Sequence, residues 1–163
     1  MTTPEKILDN LRSQKKFLVI AESLTGGLLT AQFAAIAGAS DVLLTGIVAY
    51  DTRLKHELLG VSNQLLENQG PVDPEVAAQM AEGLRSKISS KTAIDSDQII
   101  AISTTGVAGP GAQGDKPVGE LYIAVSQASE TKVFAHQLAG ERVQIQNSAV
   151  LLGVGHLWDE ITG

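Results

Sequence analysis

The sequence predicts a three-layer α/β/α sandwich with a mixed β-sheet, folded as a single domain over residues 1–163. Helical patterns alternate with short, continuous apolar runs, which are typical of strands buried in a sheet covered on both faces. Two segments between 120 and 138 predict a hairpin, which adds antiparallel pairing to the sheet. A chain of this length buries roughly 70% of the surface of its unfolded form, enough for a core of its own.

The first half of the chain is predicted to contain five elements. These are a helix over 4–15, a strand over 16–21, a helix over 28–37, a strand over 42–50 and a short helix over 53–59. Both strands are continuous apolar runs, and the first helix has apolar residues at helical spacing. Asp51 is suited to cap the short helix and Gly60 to end it. Residues 61–70 are expected to form a connecting loop with one helical turn at Leu65 and Leu66.

The second half is predicted to supply a long helix, a third buried strand, the hairpin and a last helix. The predicted ranges are 74–89, 98–104, 120–126, 132–138 and 141–161. Asp73, Pro74 and Glu75 are typical of a helix start, because they combine a cap, a first-turn proline and an acidic side chain. Five of the sixteen glycines lie between 106 and 119, and this density predicts backbone conformations or a ligand approach that side chains would block.

Polar residues stand at the ends of the three buried strands, where the loops of an α/β sheet converge. Ser23 follows the first strand, Tyr50 ends the second and Thr105 follows the third. Lys55 lies in the first turns of the short helix after Tyr50. The spacing leaves two interpretations open: a convergent site, or a serine helix cap, a boundary tyrosine and a solvent-exposed lysine.

The glycines near these strand ends are open to two interpretations as well. Gly26 and Gly27 are expected in a first helical turn, where glycine costs about 1 kcal/mol relative to alanine. They therefore indicate close packing, or the close approach of a ligand. The glycine-rich loop lacks the spacing of a Walker P-loop or a dinucleotide fingerprint. It either cradles a phosphate with its N–H groups, which Lys116 slightly favours, or connects into the hairpin.

Composition excludes several classes of site. The chain has no cysteine, so disulfides, thiolate catalysis and cysteine metal sites are excluded. The three histidines lack metal-ligand spacing, and neither a metal nor another cofactor is expected. A net charge of −6 argues against direct nucleic-acid binding. With no signal-peptide pattern and no apolar run long enough for a membrane span, a cytoplasmic protein is expected.

Three segments resemble, in the same order, the C-terminal domain of the competence/damage-inducible CinA family. They are AESLTGG at 21–27, GIVAYDTRLKHELLGV at 46–61 and TTGVAGPGAQGDKPVGELYIA at 104–124. The resemblance extends over nearly the whole chain and implies nicotinamide mononucleotide deamidase activity. That activity hydrolyses nicotinamide mononucleotide to nicotinic acid mononucleotide and ammonia in pyridine nucleotide recycling. Activities of the family's separate N-terminal domain are not implied.

The resemblance also implies roles for individual residues. Ser23 is expected to be the nucleophile and Lys55 its activating partner, with Tyr50 beside the pair and Thr105 as a further active-site hydroxyl. The expected substrate-binding residues are Gly26, Gly27, Gly106, Gly109, Gly114 and Arg142. Lys55 must be neutral to accept a proton, which requires its pKa to fall by roughly 3 units from an ordinary value near 10.4. Burial in an apolar cleft lowers a lysine pKa by this much.

Two departures from the family pattern leave other functions open. Where the family often has GPxGG in the glycine-rich loop, this chain has Ala112 and Gln113. A second arginine at the start of the last helix is replaced by Gln146, while Arg142 remains. The alternatives to the amidase are a nucleotide-binding relative without turnover and a protein-interaction module in competence or the DNA-damage response. A homodimer is expected from apolar residues on the last helix.

Overall fold

A five-stranded mixed sheet forms the middle layer of the computed structural model, which describes residues 2–163. Its strands are β1 (Phe17–Glu22), β2 (Leu43–Val48), β3 (Ile99–Gly106), β4 (Glu120–Gln127) and β5 (Glu130–Gln137). They are arranged in the order β2-β1-β3-β4-β5. β1 runs parallel to both β2 and β3, whereas β4 runs antiparallel to β3 and β5. The predicted mixed sheet with its hairpin is confirmed.

Six α-helices cover the two faces of the sheet in the described part of the chain. They are α1 (Pro4–Ser13), α2 (Leu28–Ala34), α3 (Thr52–Leu59), α4 (Asn63–Gln69), α5 (Pro74–Thr92) and α6 (Arg142–Thr162). Buried aliphatic residues of α1, α2 and α6 pack on one face, and those of α3, α4 and α5 pack on the other. The predicted three-layer sandwich is confirmed. No helix within residues 2–163 has the length and apolarity that a bilayer crossing requires.

Several predicted boundaries differ from the structure, and three of these differences have a local physical cause. The segment 61–70 is not a loop, because Ser62 caps α4 by accepting a hydrogen bond from the Leu65 N–H. α2 ends at Ala34 instead of residue 37, and the chain then turns through Gly38, which has φ +78°. β3 continues to Gly106, because β4 pairs with it up to that residue. The predicted loop residue Thr105 is therefore a strand residue.

The contact between α3 and α5 requires a glycine. A Cβ atom added to Gly83 would lie 1.6 Å from the carbonyl oxygen of Leu59, so the two helices touch through their backbones. We expect Gly83→Ala to lower the free energy of unfolding by roughly 3 kcal/mol, because overpacking forces the helices apart. Chemical denaturation measures this loss.

Gly155→Ala in α6 is the matched control for Gly83→Ala. A Cβ atom at Gly155 meets no atom within 4 Å. Alanine also favours helix over glycine by up to about 1 kcal/mol. The control variant should therefore be as stable as the wild type or more so. Equal losses in the two variants would contradict the proposed backbone contact.

The three parallel strands end at one edge of the sheet. The carboxyl ends of β1, β2 and β3 therefore bring Ser23, the Ala49–Tyr50 segment and Gly106 to the same edge. The glycine-rich loop, residues 107–119, connects β3 to β4 at this edge as well. In open α/β sheets this is the edge at which ligands bind. The candidate site lies here.

Candidate active site

A serine and a lysine meet at the carboxyl edge of the sheet. The Nζ atom of Lys55 lies 3.0 Å from the Oγ atom of Ser23. The same nitrogen donates a second hydrogen bond of 2.7 Å to the carbonyl oxygen of Ala49. Lys55 is 1% exposed and Ser23 is 9% exposed, so the pair is almost completely shielded from bulk water. The predicted convergence of Ser23 and Lys55 is present in the structure.

The surroundings of Lys55 favour its neutral form. Its amine faces a hydroxyl and a carbonyl, and none of its hydrogen bonds goes to a carboxylate. Burial lowers the pKa of Lys55 from 10.5 to about 8, against a weaker opposing effect of Asp51. Asp51 instead pairs with Arg53, whose hydrogen bonds lower the pKa of that carboxyl to about 2. A lysine whose pKa lies near neutrality can exchange a proton with its serine neighbour.

Local sequence explains why Lys55 points inward. Asp51 caps α3 by accepting a hydrogen bond from the Arg53 N–H, which fixes the start of the helix directly after β2. Lys55 and Leu59, one turn apart, form the buried stripe of α3 that faces the sheet. The Leu59 backbone rests on Gly83 of α5, which brings this stripe close to the sheet.

A cavity of about 270 Å³ opens above Ser23. Its walls are formed by Ser23 and Leu24, by Tyr50 and Arg142, by Gly106 at the end of β3, and by the first part of the glycine-rich loop as far as Gln113. The volume is near the lower end of small-molecule sites. The arrangement gives a buried nucleophile and base beside a partly polar pocket that is open to solvent on one side.

Tyr50 stands at the mouth of this cavity and does not contact Lys55. Its hydroxyl accepts a hydrogen bond from Arg142, whose second nitrogen donates to the carbonyl of Gly109 at 2.7 Å. Tyr50 was expected beside the Ser23–Lys55 pair, but in the structure its hydroxyl bonds to Arg142, and the Ala49 carbonyl holds the Lys55 amine. At the end of β2, Ala49 is buried and Tyr50 is 56% exposed, so the chain turns the tyrosine outward.

Thr105 lies beside Ser23 in the sheet but does not line the cavity. β3 pairs Thr104 with Glu22 of β1, which places Thr105 next to Ser23 along the ladder. The Thr105 hydroxyl donates a 2.6 Å hydrogen bond to the carbonyl of Pro71. That contact ties the segment between α4 and α5 to the sheet. The structure thus gives this hydroxyl a partner outside the cavity.

The predicted substrate-binding glycines divide into two groups. Gly106 and Gly109 line the cavity, as does Arg142. Gly26 and Gly27 do not. They precede α2 instead of lying in its first turn, and they adopt positive φ of +59° and +100°. The Gly26 N–H donates to the Ser23 carbonyl and the Gly27 N–H to the carboxylate of Glu22, so neither N–H group is free to bind a ligand.

Gly114 also lies outside the cavity. It occupies a turn closed by reciprocal backbone hydrogen bonds between Gln113 and Lys116, and its φ of +59° suits glycine. Lys116 pairs with Glu120 at 3.6 Å and does not line the cavity either. This part of the loop therefore forms a separate turn.

Two backbone amides next to Ser23 are left without an acceptor in the described chain. They are the N–H groups of Leu24 and Thr25, residues that are 3% and 0% exposed. The amides on either side are bonded: that of Ser23 to the Thr104 carbonyl and that of Gly26 to the Ser23 carbonyl. Buried N–H groups are rarely unpaired in proteins. Leu24 lines the cavity, and Thr25 follows it in the chain without lining the cavity itself. The two amides, one on the cavity wall and one next to it in the chain, are therefore candidate donors to a bound ligand.

Two residues that support the site were not predicted from the sequence. Glu22 is fully buried at the end of β1 and accepts hydrogen bonds from the start of α2. Gln146 of α6 donates to the carbonyl of Leu24 at 2.8 Å. The sequence signal for Glu22 was a carboxylate at the end of an otherwise apolar run. For Gln146 the only signal was its departure from the family's arginine.

The histidines do not contribute to this site. His136 and His156 hydrogen bond to each other through their Nε2 atoms at 2.8 Å, between β5 and α6. The ring of His156 stacks on Phe134, and burial lowers the pKa of His156. Within residues 2–163 no group of three or more His, Cys, Asp or Glu side chains is placed to hold a metal ion.

A family model described as the CinA C-terminal domain matches residues 1–161. A putative competence-damage inducible protein from Bacillus pumilus is 37% identical over 147 residues, which cover 90% of this chain and 33% of that protein. A CinA-like protein from Synechococcus is 44% identical over 121 residues, covering 74% of this chain and 27% of that protein. The chain thus spans about a third or less of the length of these curated relatives.

Solved structures share the fold. The competence/damage inducible protein CihA from Agrobacterium tumefaciens matches with a TM-score of 0.85 and 28% identity, covering 96% of this chain and 92% of that chain. A CinA superfamily protein from Escherichia coli matches with a TM-score of 0.84 and 27% identity, covering 96% of this chain and 89% of that chain.

Proposed function

This chain belongs to the family of CinA C-terminal domains, and from that premise and the Ser23–Lys55 pair we propose that it is an amidohydrolase. Its proposed reaction is the hydrolysis of nicotinamide mononucleotide to nicotinic acid mononucleotide and ammonia. The observation that carries the proposal is the 3.0 Å contact between a buried serine hydroxyl and a buried lysine amine beside an open cavity. The choice of substrate rests on the family resemblance.

In the first half of the reaction Ser23 attacks the carboxamide carbon. The neutral amine of Lys55 donates one N–H to the Ala49 carbonyl and accepts the Ser23 proton on its lone pair. The carbonyl electrons move onto the oxygen. Lys55 then returns the proton to the amide nitrogen, and the C–N bond breaks. Ammonia departs, and an acyl ester remains on Ser23.

The second half regenerates the serine. Water attacks the acyl ester while Lys55 takes one of its protons, and that proton returns to the Ser23 Oγ atom as the C–O bond breaks. The product is the pyridine carboxylic acid. The positive charge of the pyridinium ring opposes protonation of the nearby amine and so favours the neutral Lys55 that both halves need.

The unpaired amides of Leu24 and Thr25 are suited to hold the oxyanion. They directly follow the nucleophile in the chain and have no acceptor within residues 2–163. One such donor typically contributes about 3 kcal/mol to transition-state stabilisation. Gly106 and Gly109 line the cavity, and the Arg142 guanidinium at the mouth offers a cation to the phosphate.

The test is turnover of nicotinamide mononucleotide by the purified chain. Ammonia release and nicotinic acid mononucleotide are measured together, over a panel that includes nicotinamide riboside and free nicotinamide. Stoichiometric formation of both products supports the proposal. Saturable binding with no ammonia would favour a binding module without turnover, while neither binding nor turnover would favour the protein-interaction alternative.

The activity should depend on pH through Lys55. Its pKa is lowered to about 8, so about a tenth of the amine is neutral at pH 7. We expect kcat/KM to rise about tenfold per pH unit below 8 and to level off above it, because only the neutral amine accepts a proton. A profile of kcat/KM between about pH 6 and pH 9.5 measures this dependence. A flat profile across this range would contradict the role of Lys55 as base.

A further inference from the structure

We propose that Glu22 and Gln146 are positioning residues that fix the turn carrying the nucleophile. The turn is the segment Ser23–Gly27, and what it positions is the pair of free amides at Leu24 and Thr25. The inference rests on the proposed function. It assigns a role in that function to two residues that contact neither Lys55 nor the cavity.

Glu22 ties the end of the turn back to its beginning. Its Oε2 atom accepts hydrogen bonds from the N–H groups of Gly27 and Leu29, each at 3.0 Å. Its Oε1 atom accepts from the N–H and the hydroxyl of Thr30, at 2.8 and 2.6 Å. The carboxylate is fully buried, so these four bonds compensate a charge removed from water. The residue just before the turn is therefore bonded to the last residue of the turn and to the first residues of α2.

Glu22 performs a capping task that the sequence of α2 cannot perform itself. The N-cap residue of α2 is Gly27, which has no side chain to accept a hydrogen bond. A carboxylate from the end of β1 satisfies those amides instead. Glu22 accepts from the amides of Gly27, Leu29 and Thr30, while the amides of Gly26 and Leu28 donate to carbonyls within the turn. Beside Ser23, the amides of Leu24 and Thr25 are thus the two left free.

Gln146 orients the peptide between Leu24 and Thr25 from the opposite side. Its Nε2 atom donates to the Leu24 carbonyl at 2.8 Å. In a trans peptide the C=O and N–H groups point in opposite directions, so holding this carbonyl toward α6 also fixes the direction of the Thr25 N–H. The Thr25 side chain adds a 2.8 Å contact with the Thr104 hydroxyl. Oxyanion donors work through such fixed directions.

Three variants test the proposal. Glu22→Gln keeps the shape but replaces one acceptor oxygen with an NH₂ group that faces donors. Gln146→Leu removes the donor to Leu24, and Gln146→Arg restores a donor at the same place. We expect kcat to fall about 10- to 100-fold in the first two variants, with KM within about twofold, and to stay within about threefold of wild type in Gln146→Arg. All rates are measured well below the melting temperature of each variant.

Thr30→Val is the matched control. It removes the hydroxyl donor to the same Glu22 carboxylate but leaves the three amide bonds in place. A lower melting temperature with an unchanged kcat is expected. Wild-type kcat in folded Glu22→Gln and Gln146→Leu would overturn the proposal, as would equal losses of kcat in Thr30→Val.

A second readout separates this proposal from the choice of substrate. A fluorophosphonate forms a bond between its phosphorus and the Ser23 Oγ atom, expels fluoride and transfers the serine proton to Lys55. Its labelling rate, followed by mass spectrometry, should fall in Glu22→Gln and Gln146→Leu and not in Thr30→Val or Gln146→Arg. If wild type labels at Ser23 but does not hydrolyse nicotinamide mononucleotide, the substrate assignment fails and the labelling rates still decide the positioning role. If Glu22→Gln does not fold, Gln146→Leu decides it.

Discussion

Ser23→Ala should reduce ammonia release from nicotinamide mononucleotide by at least about 10³-fold, because it removes the only atom that forms the acyl bond. The loss should appear in kcat, while binding of the nucleotide in the cavity is retained. Only one buried oxygen is deleted, and its partner is the Lys55 amine. The fold should therefore persist. Steady-state kinetics and isothermal titration with the same protein measure turnover and binding separately.

Ser103→Ala is the matched control for this variant. Ser103 is a fully buried serine of β3 whose hydroxyl donates to the Ala77 carbonyl at 2.6 Å, away from the cavity. Its removal should cost about 1 kcal/mol of stability and leave kcat unchanged. Turnover by Ser23→Ala at more than about a tenth of the wild-type rate would exclude serine as the nucleophile.

The sequence was sufficient to predict the sandwich because its signals are local. Apolar runs, caps such as Asp51 and stops such as Gly60 lie within a few residues of the elements they define. It was also sufficient to place Ser23 and Lys55 at the same edge, because both follow parallel strands whose carboxyl ends must lie together. Their 3.0 Å contact then requires only that α3 turns its buried stripe toward the sheet.

The contacts that spacing does not encode were the ones missed. The outward direction of Tyr50 depends on how the chain leaves β2, because a shift of one residue would exchange its exposed side chain with the buried side chain of Ala49. Gln146 and Leu24 are far apart along the chain and meet only because α6 packs beside α2. α4 forms where a loop was expected, because burial of Leu66 and the cap at Ser62 stabilise a helix too short to persist alone.

Lys55→Met should reduce kcat/KM by about 10³- to 10⁴-fold at pH 8, because it removes the general base and retains a side chain of similar length. It should also change how stability depends on pH. In the wild type the unfolded chain holds the Lys55 proton up to pH 10.5, whereas the folded chain releases it near pH 8. The unfolded state thus binds more protons between these values, and wild-type stability rises with pH there. Denaturation of both proteins from about pH 7 to pH 11 measures the contribution of Lys55 to the pH dependence of stability, since all other titrating groups are shared.

The difference in unfolding free energy between wild type and Lys55→Met isolates the buried amine. Burial of the charged form opposes folding by on the order of 3 kcal/mol below pH 8, for a side chain that is 1% exposed. As the pH rises from about 8 to 10.5, the unfolding free energy of the wild type should therefore increase relative to that of Lys55→Met by a similar amount. Lys91→Met, at an exposed lysine near the end of α5, should alter neither activity nor this slope. The desolvation that destabilises the charged lysine is also what makes the amine able to accept the serine proton. A pH-independent difference in unfolding free energy would therefore mean that the amine is not the base. Activity of Lys55→Met within tenfold of wild type would mean the same.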